Sequence, residues 1–287
     1  MKVIVLGGTG VFGSRLVTLL HRDGHNVRIA SWSGGAGRIK IDRNGDLAAL
    51  FASPVDVIVD AAGPFHAYGD DPYRLPKACI ANGVHYLDLA DDAAFCAGIS
   101  VLDAAAQKAG VFVLSGVSSV PAVSSAIAAD LLTDCTTVDS IEAAILPGNR
   151  APRGRAVVES ILSQTGTLQT EQIDGVPQTY RSWSDPMSYE FAKGFRRRAW
   201  LIGVPDQALL PAFFLARTVR FRAGVELAVM NYGLAALSAL RVLRPKWLVA
   251  GVFHLSRLLA PFGTDVGGMV VTVVGQWPDG WQRRSWR

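Results

Sequence analysis

The residues whose types and spacing carry chemistry begin six positions into the chain. Gly7-Gly8-Thr9-Gly10-Val11-Phe12-Gly13 contains the spacing G-x-G-x-x-G. In that pattern one glycine lets the chain reverse, a second removes a side chain that would hold the backbone away from an anion, and a third lets a helix approach a strand. Given to Gly8, Gly10 and Gly13 in that order, with Thr9, Val11 and Phe12 completing the turn, these roles describe a cradle of main-chain N–H groups for a dinucleotide pyrophosphate. A glycine-rich structural turn is the alternative. Proton exchange with a substrate falls to His66 and Tyr68, which follow Gly63-Pro64, while Asp88, Asp91 and Asp92 at the end of the fifth strand orient that donor or hold a substrate amine. Tyr73 and Lys77 also match Y-x-x-x-K, but they precede the strand expected at Asp88 and Pro76 interrupts the turn between them, so we read the match as chance.

These groups need elements to place them. Lys2 to Leu6 is an unbroken apolar, β-branched run of the kind buried on both faces of a parallel sheet, and Ser14 to Arg22 puts Leu16, Leu19 and Leu20 on one helical face ahead of Gly24. A second strand is expected over Asn26 to Ala30. No acid stands at its end to take the adenosine ribose; Ser31, Ser33 and Arg38 leave room for a 2′-phosphate, which favours NADP over NAD. Arg38 to Asp42 reads as a third strand ending in an acid near the adenine, and Val55 to Asp60 as a fourth, turning through Ala62, Gly63 and Pro64 along the cofactor. Helices over 72–82 and 93–109 and strands over 84–89 and 111–115 complete an alternating pattern. That pattern implies a doubly wound parallel α/β sheet over residues 1–120.

Composition narrows the function classes. Half of the 287 residues are hydrophobic and 18% are charged, which excludes general disorder. The net charge of +4 comes with scattered arginines, suiting an anionic cofactor or substrate; no nucleic-acid partner is expected. Cys79, Cys96 and Cys135 form no C-x-x-C pair, so neither a metal site nor a disulfide framework is expected, and reduced thiols point to a cytoplasmic protein. The first apolar run is too short for a signal peptide, and the uncharged stretch over 227–240 is too short to span a bilayer.

Four blocks, Gly7 to Gly13, Ala62-Gly63-Pro64-Phe65 with Tyr68-Gly69, Gly83 to Asp88, and Gly116 to Pro121, resemble the saccharopine dehydrogenase-like NAD(P)-binding family in order and spacing. The similarity runs on through 147–155 and 219–226 to Gly267-Gly268-Met269, where it points to a bacterial branch. The resemblance implies an oxidoreductase with an N-terminal Rossmann domain and a second α/β domain closing over the nicotinamide. Named members act on a C–N bond and some relatives reduce enoyl groups. Such proteins usually continue beyond Gly268-Met269 for several elements, so the chain is expected to be either naturally short or a fragment of a longer one.

Residues 121–287 are expected to form a second, α+β domain for substrate or dimerisation. Arg150, Arg153 and Arg155 precede a helix over 156–164 and form either an anion grip or a solvated loop. Residues 168–204 have the turns of an antiparallel sheet, with Arg196-Arg197-Arg198 an exposed basic cluster, and 268–287 reads as a β-hairpin. Between them, 224–262 reads as two apolar helices joined at Arg244-Pro245-Lys246. This hairpin is a domain or homodimer contact, an acyl channel, or a peripheral membrane face; for a membrane face, charged residues at Leu234 and Leu237 would abolish vesicle recruitment. The expected activity is NADP-dependent hydride transfer with a C=N, C=O or activated C=C bond of a small anionic or acyl substrate. A non-catalytic NADP-binding module that docks through this hairpin is the competing expectation.

Overall fold

Val3, Ile4, Val5 and Leu6 are all buried, as a strand covered on both faces requires. They belong to β1 (Lys2–Leu6), which leads through the glycine turn into α1 (Val11–Arg22) and β2 (Asn26–Ser31). The coordinates are a computed structural model describing residues 1–152, 154–191, 195–240 and 246–287, so Arg153, Arg241, Arg244 and Pro245 lie outside the described residues. Two compact units divide the chain, Met1–Ser118 and Ser119–Arg287.

The first unit continues with β3 (Arg38–Lys40), α2 (Ala48–Phe51), β4 (Val57–Asp60), α3 (Arg74–Ala81), β5 (His85–Asp88), α4 (Ala93–Gly98), α5 (Asp103–Ala109) and β6 (Val113–Leu114). Its six strands run in the order β3-β2-β1-β4-β5-β6, all parallel. The order reverses between β1 and β4, and a crevice for a ligand opens outside the carboxyl ends of strands at such a point. Gly13, Leu16, Val17 and Leu20 turn inward on α1, while Leu19 is 46% exposed, so the buried stripe lies one position from the expected one. The helix expected over 93–109 is broken: a 3-10 turn, Ile99–Leu102, separates α4 from α5 where Gly98 packs against the Tyr73 hydroxyl. Pro76 does not interrupt α3. It lies in the first turn, where a missing N–H costs no intrahelical bond.

The second unit contains α6 (Ser124–Leu131), β7 (Thr137–Leu146), α7 (Arg155–Gln164), β8 (Leu168–Ile173), β9 (Val176–Arg181), β10 (Ser184–Glu190) and β11 (Arg196–Leu201). After these come α8 (Asp206–Phe214), β12 (Thr218–Ala223), α9 (Ala228–Ala239), α10 (Lys246–Leu258), β13 (Gly268–Trp277) and β14 (Gly280–Trp286). The sheet runs β10-β11-β12-β7-β13-β14, with β8 joining β12 to β9. It is mixed: β12 lies parallel to β7, while β8 with β9 and β10 with β11 form the antiparallel pairs expected over 168–204. Ile141, Phe221, Val271 and Val273 on one face pack against Ala128 and Leu132 of the α6 region and Leu210 of α8. A separate cluster joins Val158 and Leu162 of α7 with Trp183, Trp200, Leu234 of α9 and Phe253 of α10.

Candidate functional site

The glycine turn forms the floor of the site. Gly7, not Gly8, makes the reversal: its φ is +74°, and a β-carbon there would lie 2.8 Å from the Ala62 Cα, so the turn after β1 rests directly on the loop after β4. Gly8 has an ordinary φ; a β-carbon there would meet the Ile29 side chain at 3.0 Å, which makes its smallness a packing requirement. Gly13 lets α1 approach β1, since a β-carbon would collide with the Gly7 carbonyl and lie 2.9 Å from the Gly8 Cα. At Gly10 the nearest atom to such a carbon is the Gly7 oxygen at 3.2 Å, and no other lies within 4 Å. The open side of the turn is therefore at Gly10.

Gly10 is also the N-cap of α1, and no side chain caps the helix. Ser14 is the first residue whose N–H bonds back to the Gly10 carbonyl, at 2.9 Å. The N–H groups of Val11, Phe12 and Gly13 thus precede the first intrahelical bond at the positive end of the helix dipole. Thr9 and Phe12 are exposed and Val11 half-buried around them. Uncapped donors, a dipole end and an open β-carbon position fit a diphosphate.

At the end of β2, Ser31 is 6% exposed and its hydroxyl has no hydrogen-bond partner among the described residues. Register pairs it with Lys40 of β3, and Arg38 pairs with Ile29. Ser33, Arg38 and Lys40 are exposed, with no carboxylate paired to either cation among the described residues. Asp42 is half-buried and accepts a hydrogen bond from the Asn44 N–H at 2.9 Å, closing its own turn.

The loop after β4 is held by two residues that sequence reading passed over, Asp60 and Arg43. Asp60 is fully buried. Its Oδ1 accepts from Arg43 Nη2 at 3.2 Å and from the Ala62 N–H at 3.0 Å, and its Oδ2 accepts from the Tyr68 hydroxyl at 3.0 Å. Arg43 also donates to the Ala62 carbonyl at 2.5 Å and lies 3.6 Å over the Tyr68 ring. Burial pushes the Asp60 carboxyl up to about 6 against the opposing pull of Arg43, and burial likewise lowers Arg43. Ala62, Gly63 and Pro64 are thereby fixed beside Gly7. An acid closing an apolar strand was a visible signal for Asp60; its partner seventeen residues earlier had none.

Of His66, Tyr68 and Asp88, the structure leaves one in contact with solvent. His66 is exposed on a 3-10 turn, Phe65–Ala67. Tyr68 is 6% exposed, drawn inward by Phe65 and Phe95 at ring separations of 4.8 and 5.3 Å, with its hydroxyl given to Asp60. Asp88 is buried too. Its Oδ1 accepts from Ala90 N–H, Ser115 Oγ and Gly116 N–H at 2.8–2.9 Å, stapling the ends of β5 and β6 together. Burial raises its carboxyl while those hydrogen bonds oppose the rise. Aromatic packing thus claims Tyr68, and backbone and serine donors claim Asp88. Asp92 caps α4, accepting from the Phe95 N–H at 2.8 Å. Tyr73 and Lys77 do not meet, since Tyr73 donates to the Phe95 carbonyl at 3.0 Å and Lys77 pairs with Asp71 at 2.8 Å.

In the second unit the buried arginines are paired with carboxylates. Arg222 is 2% exposed and bonds Glu142, Asp185 at 2.5 Å and the Tyr189 hydroxyl at 3.3 Å. Arg220 pairs with Glu171 at 2.9 Å. The expected basic cluster divides: Arg197 is buried against Glu226 at 2.8 Å, while Arg196 and Arg198 are exposed. Arg150 is exposed and donates to the Pro261 carbonyl at 3.3 Å, and Arg155 is exposed at the start of α7.

No family model matches the chain. Over 63 residues, 22% of its length, the chain is 43% identical to the Homo sapiens protein named Epimerase family protein SDR39U1. It spans about one fifth of that curated relative, the match covering 20% of it. Among solved structures, GenD2 from gentamicin A biosynthesis, in complex with NAD, aligns over 99% of this chain and 72% of its own at 15% identity and a TM-score of 0.44. A dehydrogenase from Chromobacterium violaceum aligns over 96% of this chain and 69% of its own, at 13% identity and a TM-score of 0.37. MoeE5, in complex with UDP-glucuronic acid and NAD, aligns over 31% of this chain and 36% of its own, at 24% identity and a TM-score of 0.25.

Proposed function

We propose that this chain is an NADP-dependent oxidoreductase transferring a hydride to or from a C=N, C=O or activated C=C bond of a small anionic or acyl substrate. One observation carries the reading: an uncapped helix start and an open glycine turn lie where the strand order of a parallel sheet reverses. The order and spacing of the four motif blocks support a saccharopine dehydrogenase-like type for this oxidoreductase. A bound nicotinamide supplies the hydride.

The chain's own residues bind and position. The N–H groups of Val11, Phe12 and Gly13 hold the diphosphate, and Ser31, Ser33 and Arg38 take the 2′-phosphate, with Lys40 paired to Ser31 across the strands. Ala62, Gly63 and Pro64 border the nucleotide, kept in place by Asp60 and Arg43. His66 Nδ1 or Nε2 exchanges the proton with the substrate, as an exposed titratable group two residues beyond the Gly63-Pro64 turn. Tyr68 and Asp88 act on that exchange through position, Tyr68 by anchoring the turn that carries His66 to Asp60.

Calorimetry on wild type and Gly10→Val tests the cradle, with NADPH affinity expected to fall at least about tenfold because a branched side chain occupies the anion's approach. Equal affinities would overturn the assignment. NADPH oxidation against a panel of imines, ketones and enoyl esters then separates an enzyme from a binding module, and tighter binding of NADH than NADPH would reverse the coenzyme preference.

A further inference from the structure

The helical pair α9 and α10 shares one inward cluster. Val249, Val252 and Phe253 of α10 and Leu234, Ala235 and Leu237 of α9 pack with Trp183 and Trp200. Leu234 is 7% exposed, so it belongs to the core and not to an outward face. The outward faces are apolar as well. Val229 and Tyr232 on α9 and Leu240 beyond it are 50–73% exposed, and Leu255, Leu258 and Phe262 on α10 and the turn after it are 49–74% exposed.

Charge on this segment has one sign. No Asp or Glu occurs between Glu226 and Asp265, whereas four Lys or Arg residues do. Glu226 is itself spent on Arg197 at 2.8 Å. Arg257 is exposed on α10, and Arg198 donates to the Tyr232 hydroxyl at 2.5 Å beside the α9 face. Arg150 is tied to the turn after α10, with its Nη2 on the Pro261 carbonyl at 3.3 Å and its N–H on the Thr264 carbonyl at 2.9 Å. Asn149 Nδ2 reaches the Leu259 carbonyl at 2.7 Å. The apolar tip formed by Leu258 and Phe262 is thus braced beside a cation. Among the described residues neither Arg150 nor Arg257 pairs with a carboxylate.

We infer that the outer face of α9, α10 and the turn at Phe262 docks on an anionic lipid bilayer. Apolar side chains rimmed by arginines seat in the headgroup boundary, where buried apolar area and attraction to anionic lipid add. No helix of the described residues is long and apolar enough to cross a membrane, which makes the contact interfacial. A second copy of the chain fits less well. A twofold contact sets the same patch against itself, and the segment between Glu226 and Asp265 brings basic residues and no acid of its own to meet them.

Flotation of the full chain with vesicles tests the inference. Phosphatidylcholine vesicles containing one third phosphatidylglycerol are expected to carry the protein at low salt, pure phosphatidylcholine vesicles are not, and salt is expected to release it. Leu258→Asp and, separately, Phe262→Asp should weaken recruitment about tenfold or more, the loss expected when one large apolar side chain no longer leaves water. Both positions are more than two-thirds exposed, so melting temperature and NADPH affinity should be unchanged. No flotation, equal flotation with both vesicle types, or variants that convert a dimer to a monomer in light scattering while leaving flotation intact would overturn it.

Discussion

Both units bury charge against a sheet, but they use it differently. At the carboxyl edge of the first sheet a single ion pair, Arg43 with Asp60, locks the backbone of one loop, and the helix donors beside it are left uncapped. On the second sheet Arg222 is enclosed by Glu142, Asp185 and Tyr189, and Arg220 by Glu171 and Asp185. Buried charge that is fully answered from within the fold is scaffold. Polar groups left open next to answered ones are where a ligand can contribute, because they alone gain hydrogen bonds on binding without losing any.

Substitutions can break this contrast. Arg222→Ala should have the largest effect, costing about 3–5 kcal/mol in chemical denaturation, since a buried side chain is removed from the core and Glu142 and the Tyr189 hydroxyl lose the cation that holds them. NADPH affinity should be unchanged, and a parallel loss of affinity would erase the distinction. Arg43→Ala should cost about 3 kcal/mol for the same reason. Here calorimetry should also show weaker NADPH binding, because the Ala62 carbonyl and Asp60 lose the group that ties them together.

Asp206 provides a sharper comparison, a buried carboxyl with no cation at all. It is 1% exposed, neither oxygen has a hydrogen-bond partner among the described residues, and the nearby Ser124 hydroxyl is given to the Pro121 carbonyl at 3.0 Å. Burial pushes it up to about 7. A value raised on folding means the folded state holds the proton more tightly than the unfolded chain. That contribution to stability is complete below the ordinary carboxyl range and is lost as pH rises through about 7. Wild type should therefore lose on the order of 2 kcal/mol between pH 4 and pH 8, and Asp206→Asn should flatten the profile. A wild-type profile without a fall in that window would show that Asp206 finds a partner when ionised. The smallest effect is expected from the exposed Arg38: Arg38→Ala should weaken NADPH about tenfold, the size of one charge-assisted hydrogen bond, and leave NADH unchanged.

The first βα unit was legible because its determinants are local. Apolar run, glycine turn and amphipathic helix follow one another within 22 residues, and each sets its own backbone. Even so, the left-handed position fell on Gly7 and not Gly8, since the contact that decides it comes from Ala62. In the second unit α8 went unread. Residues 206–214 are apolar all round and contain Pro211, so they carry no helical period to detect. Residues 218–223 alternate Val219 and Phe221 with Arg220 and Arg222, a pattern that suggests a strand with one wet face. That face is instead largely covered, with Arg222 buried, Arg220 half-buried and carboxylates from β8, β10 and β7 meeting both.

What the sequence by itself determined is that a glycine turn joins a buried strand to the start of a helix, because strand and helix periodicity and steric freedom at glycine act over a few neighbouring residues. It also determined the acid-free stretch between Glu226 and Asp265. Tertiary structure alone decided which charged groups are spent and which are open. Asp60 meets Arg43, Arg222 meets Glu142, and Asp206 meets neither cation nor donor only when strands distant in the chain are laid side by side, and burial then sets how strongly each is held.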